Sequence, residues 1–211
     1  MKKRLYVLIL TFVVLLAACA PSQDLATIFA PGQPPILGSW EGNVFTSEYL
    51  GLRIEMPDGW VAFTDEELAE RYGFNTALLE SRQDLWELVD TRAGRRVPDM
   101  EILSPNFASA AILYERFYTA ADQMMSSAQF NQFEADLWNA FHDTITISDT
   151  PVRIGNLYWY YFDGARFFAG LTHYGRHFQR VQDGFGMSIY IQYFCSDSET
   201  LEEVMAMFSP L

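Results

Sequence analysis

A succession of β-branched and aromatic segments between residues 145 and 194 limits the possible folds more than any other feature. Short turn signals separate these segments, among them Asp163-Gly164 and Asp183-Gly184. Asp-Gly is typical of two-residue hairpin turns. Because strands joined by short turns pair in opposite directions, the sequence predicts a mostly antiparallel sheet. We predict strands at residues 40–45, 52–56, 100–103, 110–118, 145–154, 157–162, 167–172, 178–182 and 187–194.

Two of these strands are apolar on both faces. In Leu157–Phe162, aromatic residues occupy both alternating positions, and Met187–Phe194 repeats this pattern. A strand that is buried on both faces needs cover on both sides of its sheet, and helices commonly supply it. We therefore predict an α+β fold in which helices flank both faces of a mostly antiparallel sheet, an α/β/α sandwich.

Helical patterns lie between the strands. Thr64-Asp65-Glu66-Glu67 has the form of a capping box and predicts a helix that ends near Gly73. Apolar spacing predicts further helices at residues 76–91, Met124–Asp143 and Glu199–Phe208. The side chains expected to face inward from the Met124–Asp143 helix are Phe130, Phe133, Leu137, Trp138 and Phe141.

The N-terminus has the pattern of an export signal. Three basic residues at positions 2–4 precede the apolar run Leu5–Leu16, which is too short to span a bilayer. The run ends in Leu16-Ala17-Ala18-Cys19, which resembles the lipobox of bacterial lipoproteins. The resemblance implies removal of residues 1–18 and a diacylglycerol on Cys19. Two acyl chains suffice for stable anchoring, so we expect attachment to the extracytoplasmic face of the cell membrane.

The domain boundaries follow from the same region. Residues 20–38 are rich in proline and glycine, which is typical of an extended tether. We therefore expect a signal peptide over residues 1–18, a lipidated cysteine and flexible tether over residues 19–38, and one α+β domain over residues 39–211. If Cys19 carries lipid, Cys195 has no cysteine partner within the chain, and we expect a buried, inert thiol.

The charge of the chain excludes some partners. The formal net charge is −13, and the only lysines, Lys2 and Lys3, lie in the leader. Phosphate backbones repel a strongly acidic protein, so no nucleic acid partner is expected. Anionic lipid head groups repel it too. Attachment to the membrane must therefore come from the lipid on Cys19.

The start of the predicted domain resembles lipoproteins of Gram-positive bacteria that carry a PsbP-like domain. The matching segments are Gly38-Ser39-Trp40, Gly42–Ser47, Pro57-Asp58-Gly59-Trp60 and Asp65-Glu66-Glu67. Phe45 stands where that family usually has tyrosine, and Ser47 where it has asparagine. The resemblance implies an antiparallel sheet flanked by helices and a binding module with varied partners. It carries over no active site.

Catalytic and metal-binding patterns find little support in the sequence. His173 and His177 are four residues apart, which on a strand places them about 13 Å from each other, too far to share one metal ion. Only a turn at Gly175 would bring the two side chains near each other. The chain has no nucleophile elbow and no glycine-rich phosphate loop. We assign no catalytic residue, no metal and no cofactor. An extracytoplasmic enzyme that acts on envelope material, with His173 or His177 as its base, remains the alternative.

Five arginine, tyrosine and histidine residues between positions 166 and 180 form the most functional-looking group. Arg92, Arg95 and Arg96 form a second basic group. Either group could meet an anionic partner, but pairing with the abundant carboxylates is favoured. We expect a non-catalytic binding or assembly module with a protein or small-molecule partner; a structural subunit would instead expose a large apolar patch. The candidate ligand-binding residues are Arg166, Tyr174, Arg176, His177 and Arg180.

Overall fold

The computed structural model describes residues 34–73, 96–194 and 198–211. Several features predicted from the sequence lie outside these residues. They are the leader, Cys19, residues 20–33 of the tether, the helix at residues 76–91, the arginines Arg92 and Arg95, and Cys195.

The described residues form twelve strands and four helices. The strands are β1 Ser39–Glu41, β2 Val44–Ser47, β3 Leu52–Glu55, β4 Val61–Ala62, β5 Val97–Leu103, β6 Ser109–Arg116, β7 Thr144–Ile147, β8 Val152–Ile154, β9 Leu157–Phe168, β10 Leu171–Gln182, β11 Phe185–Tyr193 and β12 Phe208–Pro210. The helices are α1 Asp65–Tyr72, α2 Ala120–Gln123, α3 Ser127–Trp138 and α4 Ser198–Ala206.

Two sheets form from the described strands. The larger sheet has eight strands in the order β4-β5-β6-β11-β10-β9-β7, and β8 also pairs with β9. The smaller sheet has the order β1-β2-β3-β12. Every described strand pair is antiparallel, which confirms the α+β prediction of a mostly antiparallel sheet.

Helices α1 and α3 both begin with a capping box. Thr64 accepts a hydrogen bond from the Glu67 amide, and the Glu67 carboxylate accepts one from the Thr64 amide, as the sequence predicts. Gly73 ends α1 in the left-handed conformation, with a φ of 71°. Ser126 and Gln129 form the equivalent box at the start of α3.

The two faces of the larger sheet have different covers. On one face, which we call the sandwich face, Met100, Ile112 and Ile189 pack in one apolar core with Leu52 and Ile54 of the smaller sheet. Helix α4 adds Val204 to this core. On the opposite face, which we call the helix face, α3 packs on β7, β9 and β10. Helices therefore lie on both faces, but a second sheet that the sequence did not predict covers the sandwich face together with α4.

Hairpin positions are predicted only in part. The Asp183-Gly184 turn is confirmed, with φ of 54° and 79° that suit a tight hairpin. Asp163-Gly164, in contrast, lies inside the long strand β9, and the chain reverses at Ala169-Gly170. The prediction of one strand over residues 145–154 is also wrong, because β7 and β8 are separate strands.

Two glycines face each other in the long hairpin of β9 and β10, where Asp163-Gly164 continues the strand. Gly164 on β9 lies opposite Gly175 on β10. A Cβ atom on Gly164 would lie 2.6 Å from Cδ2 of His142, and one on Gly175 would lie 2.6 Å from Nε2 of His177. The absent side chains therefore make room for two imidazole rings on the helix face.

The helix predicted at Met124–Asp143 is shorter than expected, and only part of its apolar pattern faces inward. Phe130 is buried, but Phe133, Leu137 and Phe141 are 46%, 48% and 61% exposed. Trp138 is half-buried and ends α3. The exposed residues occur because the apolar positions of this segment exceed the width of the stripe that the sheet can cover.

The packed body begins upstream of Trp40. Pro35 and Gly38 are buried, and Leu37 packs against the core. The Gly38 amide donates a hydrogen bond of 2.7 Å to Oδ1 of Asp99. Residues 35–38, which the sequence places in the tether, therefore belong to the folded body.

Candidate functional site

A pocket of about 480 Å³ opens on the helix face of the larger sheet. This volume falls in the range that is usual for small-molecule sites. The floor consists of β5, β6 and β11, and the walls come from the ends of α1 and α3. Its described lining residues are Arg71, Tyr72, Arg96, Glu101, Ser109, Ala111, Leu113, Trp138, Tyr190 and Gln192.

The register of the sheet brings the floor residues together. Ala111 on β6 lies opposite both Glu101 on β5 and Tyr190 on β11. Directly opposed residues in an antiparallel sheet point to the same face. The three side chains therefore form a row across the helix face, and the pocket lies over this row.

Arg96 is held by a network of buried partners. Its Nη2 lies 2.6 Å from both carboxylate oxygens of Glu134, its Nη1 donates to the hydroxyl of Tyr190, and its Nε lies 3.4 Å from Glu115. The Tyr190 hydroxyl also donates to Glu134 at 3.2 Å. Burial raises the pKa of Tyr190 to about 12. The guanidinium therefore has its donors directed at protein groups.

Glu101 forms the second polar element of the pocket. Its side chain is 4% exposed, it accepts a 3.2 Å hydrogen bond from the Tyr72 hydroxyl, and it lies 3.1 Å from the guanidinium of Arg71. The Arg71 side chain is 54% exposed. Burial raises the pKa of Glu101, against the opposing effect of Arg71. Glu101 is thus a desolvated carboxylate whose main counter-charge lies at the surface.

His177 lies beside the pocket in an aromatic enclosure. Its ring stacks on Phe162 with centroids 4.6 Å apart, and Trp138 and Tyr190 approach to 4.8 Å. Neither ring nitrogen has a hydrogen-bond partner among the described residues. Burial, followed by the neighbouring positive groups, lowers the pKa of His177 to about 3. A fully buried neutral imidazole cannot contact a substrate as a base. His177 therefore does not support the alternative that the protein is an extracytoplasmic enzyme.

The candidate ligand-binding residues do not form one site. His177 and Arg166 belong to the helix face, because Arg166 pairs with His173, which lies four residues from His177 on the same strand. Tyr174, Arg176 and Arg180 alternate with them and point to the opposite side of β10. The sequence grouped these residues by their proximity in the chain, and the strand separates them by face.

The two arginines of this group that lie on the sandwich side of the sheet, Arg176 and Arg180, both contact other protein groups. Nε and Nη2 of Arg176 lie 2.7 and 2.8 Å from the carboxylate of Asp163, and its guanidinium lies 4.5 Å from the centre of the Tyr161 ring. Arg180 donates a 2.8 Å hydrogen bond to the carbonyl of Tyr158. The preference for pairing over ligand contact thus holds at Arg176, as it does at Arg96.

His173 is half-buried, and its ring lies 5.0 Å from that of Phe194. Burial lowers its pKa, with a further contribution from His142 and Arg166. Within residues 34–73, 96–194 and 198–211, no group of three or more His, Cys, Asp or Glu side chains is arranged to hold a metal ion. Within the same ranges, no helix has the length and apolarity needed to cross a bilayer.

Sequence reasoning named Arg96 as part of a basic group but missed Glu101 of the pocket lining and Glu134, the carboxylate that pairs with Arg96. A signal existed in the strand that became β5, where Glu101 stands between Met100 and Ile102. A carboxylate inside an apolar strand is rarely buried without a partner. Glu134 gave a weaker signal, because helices of soluble proteins carry many exposed glutamates.

Comparison with known proteins gives similarity of structure only. No known family model matches this chain, and no curated protein matches it. A crystal structure from Bacteroides thetaiotaomicron is similar, with a TM-score of 0.40 and 12% sequence identity. The match covers 82% of this chain and 49% of the Bacteroides chain.

Two further structures have similar scores. LpqN of Mycobacterium tuberculosis, described as involved in cell envelope biogenesis, has a TM-score of 0.45 and 10% identity over 89% of this chain and 95% of its own. A PsbP protein of the cyanobacterium Synechocystis has a TM-score of 0.35 and 11% identity over 83% of this chain and 99% of its own. At these identities the similarity concerns the fold alone.

Proposed function

We propose that this chain is a lipid-anchored, extracytoplasmic binding module that holds a small molecule in the pocket on the helix face. The observation that carries the proposal is the pocket of about 480 Å³ lined by aromatic rings and by the buried Glu101 and Arg96. Apolar walls with a few fixed polar groups are typical of small-molecule sites. A flat protein-docking surface has no need of such a cavity, so a small ligand is favoured over a protein partner.

The binding role is tested by screening a library of small organic fragments by NMR against the full chain in detergent micelles. We expect hits whose shift changes cluster on pocket residues such as Leu113 and Tyr190. Ala111→Leu, which places a larger side chain on the pocket floor, should abolish them. The matched control is Ala206→Leu, which fills a second cavity beside β3 and α4. Fragments that bind equally to both variants, or no hits at all, would contradict the proposal.

The anchor is tested separately, because it rests on Leu16-Ala17-Ala18-Cys19 and not on the pocket. Cys19→Ser removes the only sulfur that can take a diacylglycerol at the lipobox. We expect the wild-type chain to partition with membranes and to label with a radioactive fatty acid, and the variant to lose the label. Quantitative labelling of the variant would refute lipidation at Cys19. A Cys195→Ser variant is the control and should keep the label.

A further inference from the structure

Within the residues that the structure describes, the charges around the pocket do not balance. Three carboxylates, of Glu101, Glu115 and Glu134, surround two guanidiniums, of Arg71 and Arg96. Glu134 is fully buried and Glu115 is three-quarters buried. In a site with little water, an unmatched negative charge is costly and attracts a cation. The excess of one carboxylate therefore favours a ligand with one positive charge.

The two arginines differ in their freedom to move. Arg96 is held by Glu134, Glu115 and Tyr190, so its donors do not point at the pocket as free anion-binding groups. Arg71 lies in the last turn of α1, is half exposed, reaches Glu101 with one nitrogen at 3.1 Å, and has its guanidinium 5.4 Å from the centre of the Phe63 ring. A competing cation that takes its place keeps the buried Glu101 carboxylate paired, while the Arg71 guanidinium turns into water.

The walls also suit a cation. Tyr72, Trp138 and Tyr190 line the same cavity as Glu101. The faces of aromatic rings attract ammonium groups, most strongly where water is excluded. The ring of Tyr190 already has the Arg96 guanidinium 5.7 Å from its centre. Trp138 contacts the rings of His142, His177 and Tyr190 and also borders the cavity, so a ligand would contact Tyr72 and the part of Trp138 that borders the cavity.

We propose that the pocket binds a small organic ammonium ion, whose charged group takes the place of Arg71 at Glu101 and whose apolar body packs against Trp138. This inference rests on the proposed function of the same pocket. Because the whole chain is strongly acidic, its field attracts cations and repels anions before contact. Burial raises the pKa of Glu101 and of Glu115, because loss of water disfavours the charged form of a carboxylate, and a cation beside either group would counteract that effect.

Three aromatic probes of similar size separate the effect of charge from that of size. Benzylammonium, benzyl alcohol and benzoate share one ring and differ in the charge of the attached group. We expect benzylammonium to shift the indole N–H signal of Trp138, assigned with a Trp138→Phe variant, at a concentration at least about tenfold lower than benzyl alcohol does. Benzoate should cause no shift.

Two variants of one ion pair then give opposite results. Glu101→Gln keeps the shape of the side chain and an acceptor for Tyr72, and should weaken benzylammonium binding by about tenfold or more. Arg71→Gln removes the competing cation and should strengthen binding several-fold. The matched control is Glu66→Gln, which removes one exposed carboxylate from α1 away from the pocket. A purely structural role of the pair would move both affinities in the same direction.

The outcomes distinguish this inference from the proposed function. If benzyl alcohol or benzoate binds as well as benzylammonium, the ligand is not a cation, and the binding role of the pocket stands. The same conclusion follows if library fragments bind in the pocket and benzylammonium does not, or if Arg71→Gln weakens its binding. If no library fragment binds the pocket either, both proposals fail.

Discussion

The two faces of the larger sheet are built from the same strands and have opposite chemistry. On the sandwich face, Met100, Phe178 and Ile189 are fully buried among apolar neighbours. Their direct neighbours in the chain, among them Glu101, His177 and Tyr190, point to the helix face and are also buried. The sandwich face is mainly apolar, and its buried Tyr114 hydroxyl donates a hydrogen bond to the buried Asp99. The helix face buries carboxylates, a hydroxyl and an imidazole beside α3 and the end of α1.

The two faces also differ in how many buried polar atoms lack a hydrogen-bond partner among the described residues. Five buried side-chain atoms lack a hydrogen-bond partner within the described part of the chain, and they belong to Asn131, Trp159, His177 and Gln179. Only Trp159 belongs to the sandwich core. Unpaired polar atoms are unfavourable, and those on the helix face adjoin the region that contains the pocket. We therefore expect the sandwich face to govern stability and the helix face to govern binding.

The largest effect is expected from Phe178→Ala on the sandwich face. Removing this buried ring leaves a cavity and should lower the free energy of unfolding by about 3–5 kcal/mol. Phe167→Ala on neighbouring β9 is the control, because Phe167 is 66% exposed, and it should change stability by at most about 0.5 kcal/mol. Urea denaturation followed by fluorescence measures both. Equal losses in the two variants would contradict the assignment of the core.

Breaking the buried pair on the helix face should have a comparable effect with a different signature. Glu134→Leu leaves the Arg96 guanidinium without its nearest carboxylate and should cost about 3–5 kcal/mol of stability. Adding Arg96→Met removes the orphaned charge, so the double variant should recover most of that loss. A double-mutant cycle in urea measures the coupling. Simple addition of the two losses would show that the charges on this face do not depend on each other.

The sequence predicts the strands of the larger sheet better than the smaller sheet and the helix that pack on it. Alternation and turn residues depend on neighbours in the chain, so the antiparallel pairing, the α1 capping box and the Asp183-Gly184 hairpin are correct. The predicted strands 145–154 and 167–172 are wrong, because the first is two strands and the second crosses the reversal at Ala169-Gly170. The smaller sheet is completed by β12, where Phe208 pairs with Ile54 across most of the chain length. No local signal specifies such a pairing. The exposed Phe133 and Phe141 were assigned inward for a related reason, since periodicity does not show how wide the covering sheet is.

The site was harder to predict, because it depends on which side of a strand each residue takes. Tyr174, Arg176 and His177 are close in sequence, yet His177 points to the helix face and the other two to the opposite face. The pocket instead combines residues from β5, β11 and three other segments. Gly164 shows the same limit, since its role is to admit the His142 ring, and a contact of that kind leaves no pattern in the sequence.

A pH dependence should separate the helix face from the sandwich face. The pKa of His177 falls from 6.5 to about 3 in the folded state, mainly through burial. Between these values the unfolded chain binds a proton that the folded chain does not, so this group makes stability fall with decreasing pH. The slope is about 1.4 kcal/mol per pH unit.

His177→Phe should remove this dependence while filling the same space between Phe162 and Trp138. At neutral pH the variant should be as stable as the wild type or more stable by about 1 kcal/mol, because an unpaired polar group is lost. Urea denaturation over the range from pH 7 to pH 4 compares the two proteins. Parallel curves would mean that His177 takes up a proton in the folded state.

The smallest effect on stability is expected at the ion pair between Arg176 and Asp163. This pair lies on the sandwich side of the sheet but outside the apolar core. The two side chains are 28% and 42% exposed. Asp163→Asn should therefore cost at most about 1 kcal/mol, because water screens a pair at this exposure. The loss should shrink at high salt, whereas the loss from Glu134→Leu should not, because salt ions cannot enter the buried pair. If Asp163→Asn costs as much as Glu134→Leu and is equally insensitive to salt, the contrast between a buried polar face and a solvated rim is wrong.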